Sequence, residues 1–329
     1  MHIFEYSGIT ESIPSDIVDT LSKIESLRAL DPIRKSVYGK ELQKAMDACR
    51  IESAIASLTL EDIPYDADDS GIQYNGIVKS LQSTLVEKEV PSLDEKGLLL
   101  LHRTIVNGYT KRDSRFRMRD REDVRDPHVH NIKPARPKDI GTCIDQMSSS
   151  YNMAHDVGIQ SIFLIPCVVI DLLNIHPFQE ANWRMSRVLM EALLSSEGYF
   201  ALEVSSLDKH LLDNREEYYD SVAESSAGWN NNDSDPFPFI RFVSEMVLDC
   251  YKDMDERYPL DSGKKVKKNE RIARIVENSD GPLSKAEICS LLPDVSVRTA
   301  DVVLTKLSSE GRIKKIGSYK DARYASSDY

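Results

Sequence analysis

The sequence predicts a mainly α-helical protein: an all-α body with one small β-hairpin flap, followed by a smaller C-terminal unit of short helices ending in two strands. Three observations carry this. Apolar residues recur three and four apart along most of the first 260 positions. Strand-like alternation is rare, and the alternation of strands with helices that a parallel sheet needs is missing, which excludes a doubly wound nucleotide-binding fold. Beyond residue 262 both pattern and charge change.

The first elements are EYSGITESIPSDIVDTLSKIESL, SVYGKELQKAMDACRIESAIASL and SLDEKGLLLLHRTIVNG, each with an apolar stripe between polar faces. From Arg112 to Pro137 no helical apolar face exists. Short extended pieces ending at prolines predict a surface hairpin there. His128 and His130 lie in it as solvated loop residues without further metal ligands nearby. CIDQMSSSYNMAHDVG is helical again, and QSIFLIPCVVIDLLNI is apolar on every side, as expected of a helix at the centre of an all-α domain. NWRMSRVLMEALLSSEG resumes helical spacing and stops at Gly198. The charge-rich linker GKKVKKNE follows Pro259. The expected regions are 1–95, 96–260 and 268–329.

Hydrophobic residues make up 41% of 329 positions, enough to build real cores. No run nears the roughly 18 apolar residues of a membrane span, and MHIFEYSGIT lacks the order of a signal peptide, so a cytoplasmic protein is expected. Five scattered cysteines show no ligand spacing and read as reduced. The net charge is −12, yet residues 264–329 carry 14 Lys and Arg against 9 Asp and Glu. That +5 leaves −17 on the remainder. An acidic body disfavours unspecific nucleic-acid binding, whereas the basic end suits it.

The segment HPFQEANWRMSR, His176 to Arg187, concentrates the chemistry. His176 and Pro177 end the apolar helix in a loop, and a new helix starts near Asn182. Exposed N–H groups at a helix start favour bound anions, and Arg184 and Arg187 match phosphate oxygens from one turn apart. Glu180 offers a hard oxygen to the Mg²⁺ that accompanies polyphosphate, and His176 can accept a proton near neutral pH. Capping and surface ion pairs would explain a bare HxF or RxxR, but not the whole string.

The string resembles the Fic family (filamentation induced by cAMP), whose signature HxFx(D/E)(G/A)N(G/K)RxxR is matched at His176, Phe178, Glu180, Ala181, Asn182, Arg184 and Arg187. The resemblance covers roughly residues 36–253. It implies an all-α Fic core in which His176 deprotonates a target hydroxyl, Glu180 holds Mg²⁺, and Ala181, Asn182, Trp183, Arg184 and Arg187 bind the phosphates of ATP. The implied activity is transfer of AMP to a protein. Ala181 and Trp183 stand where glycines are commonest; Ala occurs in the death-on-curing branch, which transfers phosphate instead. An indole at 183 changes how closely backbone approaches phosphate.

The hairpin 115–137 resembles the family's target-binding flap, with Lys133 in place of a proline. Tyr219, with Tyr218 beside it, falls in the segment that supplies an aromatic near adenine. DACRIESAIASL resembles the inhibitory helix (S/T)xxxE(G/N), with Glu52 as the glutamate and departures at Ala48 and Ser53. A carboxylate there would satisfy Arg187 where a phosphate belongs.

Residues 268–329 resemble a winged helix-turn-helix, with helices Leu283–Leu292 and Ser296–Ser309 and a two-stranded wing from Gly311. In that resemblance Arg298, Thr299 and Lys306 face a DNA major groove, with Lys314, Lys315, Lys320 and Arg323 near phosphates. A protein-docking role is the alternative. The expectation is an Mg²⁺- and ATP-dependent protein adenylyltransferase held in check by Glu52. Its rivals are a phosphotransferase and a nucleotide-sensing DNA-binding regulator. Target and oligomeric state, a homodimer included, stay open.

Overall fold

A computed structural model describes residues 6, 9, 13–63, 70–81, 83, 89–106, 114–119, 132–260, 268–279, 281–292, 295–318, 322–327 and 329. The chain divides into two compact units. One comprises Met1–Ile24 and Ala48–Tyr251, the other Glu25–Asp47 and Lys252–Tyr329. The expected region 1–95 therefore forms no unit of its own: most of it belongs with the central domain, and residues 25–47 belong with the C-terminal end.

Helix α1 is Ser15–Arg28 and α2 is Asp31–Leu60, kinked at Tyr38. The first helix was expected from residue 5, but Pro14 opens it, its carbonyl accepting from the Ile17 N–H. α3 (Ser70–Leu81) occupies a stretch whose sequence gave no clear helical signal, and its Gly76 passes so near α4 (Glu95–Ile105) that a Cβ would lie 2.0 Å from the Ile105 carbonyl oxygen. Asp94 caps α4 by accepting from the Gly97 N–H at 2.8 Å.

In the first unit, α5 (Ile140–Asp156) precedes α6 (Ser161–Ile175), every residue of which is buried, as its all-round hydrophobicity requires. α7 (Asn182–Ser196) is buried along nearly its whole length. α8 (Ala201–Val204), α9 (Leu207–Asp213), α10 (Arg215–Ser226) and α11 (Phe237–Arg257) complete the α-helical series up to residue 257. Inside the core, the fully buried Asp171 of α6 accepts from Tyr6 Oη at 2.5 Å and from Trp229 Nε1 at 2.7 Å, which satisfies an otherwise costly carboxylate. No described helix is long and apolar enough to cross a membrane.

The flap lies mostly outside the described residues, which include neither 120–131 nor the two histidines there. Its described flanks are irregular: the Arg117 N–H donates to the Pro177 carbonyl at 2.9 Å and the Ala135 N–H to the Asn174 carbonyl at 3.1 Å. The linker 261–267 is likewise outside them. None of the five cysteines is in a disulfide; four are buried and Cys289 is partly so.

The second unit contains α12 (Lys268–Glu277), α13 (Lys285–Leu291), α14 (Val297–Ser309) and an antiparallel sheet of β1 (Leu283–Ser284), β2 (Ile313–Ile316) and β3 (Arg323–Ser326) in the order β1-β3-β2. Two strands were expected. The third arises because Leu283 pairs with Tyr324, after which Ser284 and Glu287 close a capping box that starts α13 two residues later than its apolar pattern suggests. Ile272, Val276, Ile288, Leu304 and Tyr324 form its core, with Val37 of α2.

Candidate nucleotide site

α6 ends where His176 turns into the left-handed region (φ 49°), and the loop leaves it again at Ala181 (φ 60°) to begin α7. A family glycine at 181 is thus explained: only glycine takes that conformation without a Cβ penalty. Between these points the loop is held from within. Asn182 accepts from the Phe178 N–H through Oδ1 at 3.0 Å and donates from Nδ2 to the Phe178 carbonyl at 2.9 Å. Both ends of the amide expected on phosphate are therefore engaged in shaping the turn.

Two residues that the sequence reading missed brace the same loop. Arg117 is buried and donates to the carbonyls of His176 (2.7 Å), Ile175 (3.3 Å) and Ala135, so one guanidinium ties the histidine's own peptide to the flap's base. His102 lies flat on Phe178 and donates from Nε2 to the Glu180 carbonyl at 3.2 Å. Arg117 falls within the flap segment and His102 in α4; the bracing role of each is revealed by its position in the fold.

His176 is 2% exposed. The Glu180 side chain is half-buried, and among the described residues no group of three or more His, Cys, Asp or Glu is placed to hold a metal ion. A single carboxylate suits Mg²⁺, which keeps most of its ligands as water and phosphate oxygen. Trp183 is 94% buried and packs edge-on against Tyr219 and Tyr218, at 5.5 and 6.2 Å between ring centres. It fills space instead of leaving its backbone bare. The Tyr219 hydroxyl donates to the Leu60 carbonyl at 2.7 Å, so it serves the end of α2.

Arg184 and Arg187 emerge from α7 one turn apart and converge on a single carboxylate, Glu61. Arg184 Nε lies 3.1 Å from its Oε2, and Arg187 Nη2 lies 2.7 Å from its Oε1. Arg187 also donates to Ser57 Oγ at 3.0 Å and to the Ser57 carbonyl at 2.9 Å. Burial works against the Arg187 charge, but Glu61, Tyr218 and Asp208 outweigh it and raise its pKa. Arg215 adds a third guanidinium at the end of α2, donating to the Leu60 carbonyl at 3.0 Å and pairing with Asp62 at 2.9 Å. Cations cluster where the helix dipole is negative.

Glu52 is exposed, more than two turns earlier on α2, so the carboxylate on Arg187 is Glu61 and not Glu52. The signal was present: Ser57 and Glu61 keep the (S/T)xxxE spacing that Ala48 breaks for Glu52, and Asp62, at φ 52°, sits where the pattern has Gly or Asn, the residues that tolerate this conformation.

Residues 92–194 match the family model for the Fic/DOC family. The chain carries a Fic/DOC domain. Its sequence is 27% identical over 178 residues to a protein adenylyltransferase Fic of Aedes aegypti, covering 53% of this chain and 32% of that protein. It is 26% identical over 248 residues to one of Culex quinquefasciatus, covering 71% and 45%. The chain thus spans less than half the length of these curated relatives. A Fic family protein from Desulfovibrio desulfuricans G20 shares the fold over 96% of this chain and 97% of its own, at TM-score 0.57 and 14% identity. Within the Fic/DOC domain lie His176, Glu180, both motif arginines and the bracing residues Arg117 and His102.

Proposed function

We propose that this chain is a protein adenylyltransferase that transfers AMP from ATP to a hydroxyl of a target protein and is restrained by Glu61. The observation that carries it is the convergence of Arg184 and Arg187 on one carboxylate at the start of α7. Two buried guanidiniums and a helix N-terminus form a site for an anion larger than a carboxylate, and Glu61 stands in for part of it.

In the reaction, His176 takes the proton of the target hydroxyl while that oxygen attacks the α-phosphorus. The bond from the α-phosphorus to the bridging oxygen breaks, and pyrophosphate leaves. Arg184 and Arg187 hold the departing phosphates, and Arg117 keeps the His176 peptide fixed. Glu180 would hold Mg²⁺, which supplies charge neutralisation for the phosphates when bound. Residues 115–137 are the segment assigned to the target.

The test is incubation of the full chain with α-labelled ATP and lysate. Glu61→Gly should raise label on protein at least tenfold, Glu52→Gly should not, and His176→Ala should abolish it. Label from γ-labelled ATP instead would replace AMP transfer with phosphate transfer, the reaction of the branch that shares Ala181. No label from either would end the proposal.

For the second unit we propose DNA binding by a winged helix. Arg298, Thr299 and Lys306 line an open cleft of about 320 Å³ along α14, and Lys314 and Lys315 are exposed on β2. Binding of a labelled duplex should weaken steeply with salt and be lost in Arg298→Ala/Lys306→Ala. Lys320 lies outside the described residues.

A further inference from the structure

The guanidinium of Arg187 is gripped on two edges by groups of different origin. Glu61 takes Nη2 at 2.7 Å, and Ser57 contacts both Nη2 and Nε. All of these belong to α2 and the residue that follows it. A further partner is Asp208 in the first turn of α9, whose Oδ1 lies 3.3 Å from Nε. Asp208 is 2% exposed, Arg187 1%, and Asp208 Oδ2 has no hydrogen-bond partner.

We infer that Asp208 is a positioning residue: it holds the Nε edge of Arg187 after Glu61 withdraws, and so presents Nη2 to the phosphate that takes the place of Glu61. The inference rests on the autoinhibition proposed above. A buried guanidinium that loses its carboxylate is destabilising unless another anion compensates it, and the Ser57 acceptors satisfy donors without balancing charge. Asp208 supplies that charge from the core and not from the inhibitory helix, so the cation stays anchored whichever anion sits on its other edge. The free Oδ2 leaves room for a two-point contact once Ser57 moves.

The environment of Asp208 agrees. Burial pushes its carboxyl up to about 6; Arg187 and Ser57 oppose this, and the nearby Glu61 adds to the rise. While Glu61 is docked, the Asp208 charge is therefore redundant and somewhat costly. With Glu61 gone it becomes the counter-ion of Arg187. The two carboxylates should show coupling of a definite sign.

The experiment is a double-mutant cycle on the full chain with Asp208→Asn and Glu61→Gly, read by thermal melting and by ATP kinetics. Asp208→Asn should shift the melting temperature by less than about 2 °C alone and lower it by about 5 °C or more in the Glu61→Gly background. In that background it should raise the KM for ATP about tenfold with a much smaller change in kcat, and Asp208→Glu should restore most of the KM. Equal melting shifts in both backgrounds, or an unchanged KM in an active Glu61→Gly enzyme, would overturn the inference. Should Glu61→Gly fail to activate, autoinhibition fails, and the melting cycle alone still decides the role of Asp208.

Discussion

The imidazole of His102 lies parallel to the ring of Phe178, with centres 3.8 Å apart and planes 5° from coplanar. The stack buries the ring, and burial holds the pKa of His102 down at about 4, with the Glu180 carbonyl opposing and Arg184 adding to the depression. The unfolded chain takes up this proton near pH 6.5, the native protein only near 4. Stability is therefore complete above 6.5 and falls as pH drops toward 4, by at most about 3 kcal/mol from this group. Calorimetry from pH 7 to 4.5 should show the loss, and His102→Phe, which keeps the stack and cannot titrate, should show less of it.

Arg117 donates to the carbonyls of Arg119, Ala135, Ile175 and His176, the last two at the C-terminal end of α6. Removing it leaves buried acceptors unpaired, at a cost of about 3 kcal/mol. Arg117→Ala in the Glu61→Gly background should lower kcat more than tenfold at temperatures where the protein is still folded, since the His176 peptide loses its fixed position. An undiminished kcat would show that the loop keeps its geometry unaided.

Ala181 holds φ 60°, where its Cβ costs about 1 kcal/mol or more. Ala181→Gly should shift the urea midpoint upward by the equivalent of about 0.5 to 1 kcal/mol at an unchanged slope, because relief of strain exceeds the added freedom of the unfolded chain.

Trp183 packs against two tyrosines with its buried Nε1 unpartnered. Trp183→Ala should cost about 3 to 5 kcal/mol by opening a cavity. Trp183→Phe removes an unsatisfied donor along with some area, and these offset to within about 1 kcal/mol. Equal losses in the two variants would mean that the indole N–H has a partner in solution.

What the sequence disclosed tracks the range of the interactions involved. The loop from His176 to Arg187 and the burial of α6 were legible because motif and periodicity are local. Glu61 was within reach through its spacing from Ser57, yet the more obviously helical DACRIESAIASL drew the assignment to Glu52, which faces solvent. The roles of Arg117, His102 and Asp208 were illegible: each acts through a contact with a residue between 21 and 78 positions away. β1 was hidden for a related reason, since a two-residue strand exists only through its pairing with Tyr324.

Tyr6 and Asp171 are separated by 165 positions and joined by one hydrogen bond in the interior of the domain. Loss of Tyr6 would leave a carboxylate in α6 one donor short, five residues ahead of His176. A sample in which part of the molecules has been clipped beyond Tyr6 would then hold a mixed population of the helix that carries the histidine, and its assay would average over molecules that differ far along the chain from the motif. Intact mass is the measurement that guards against it.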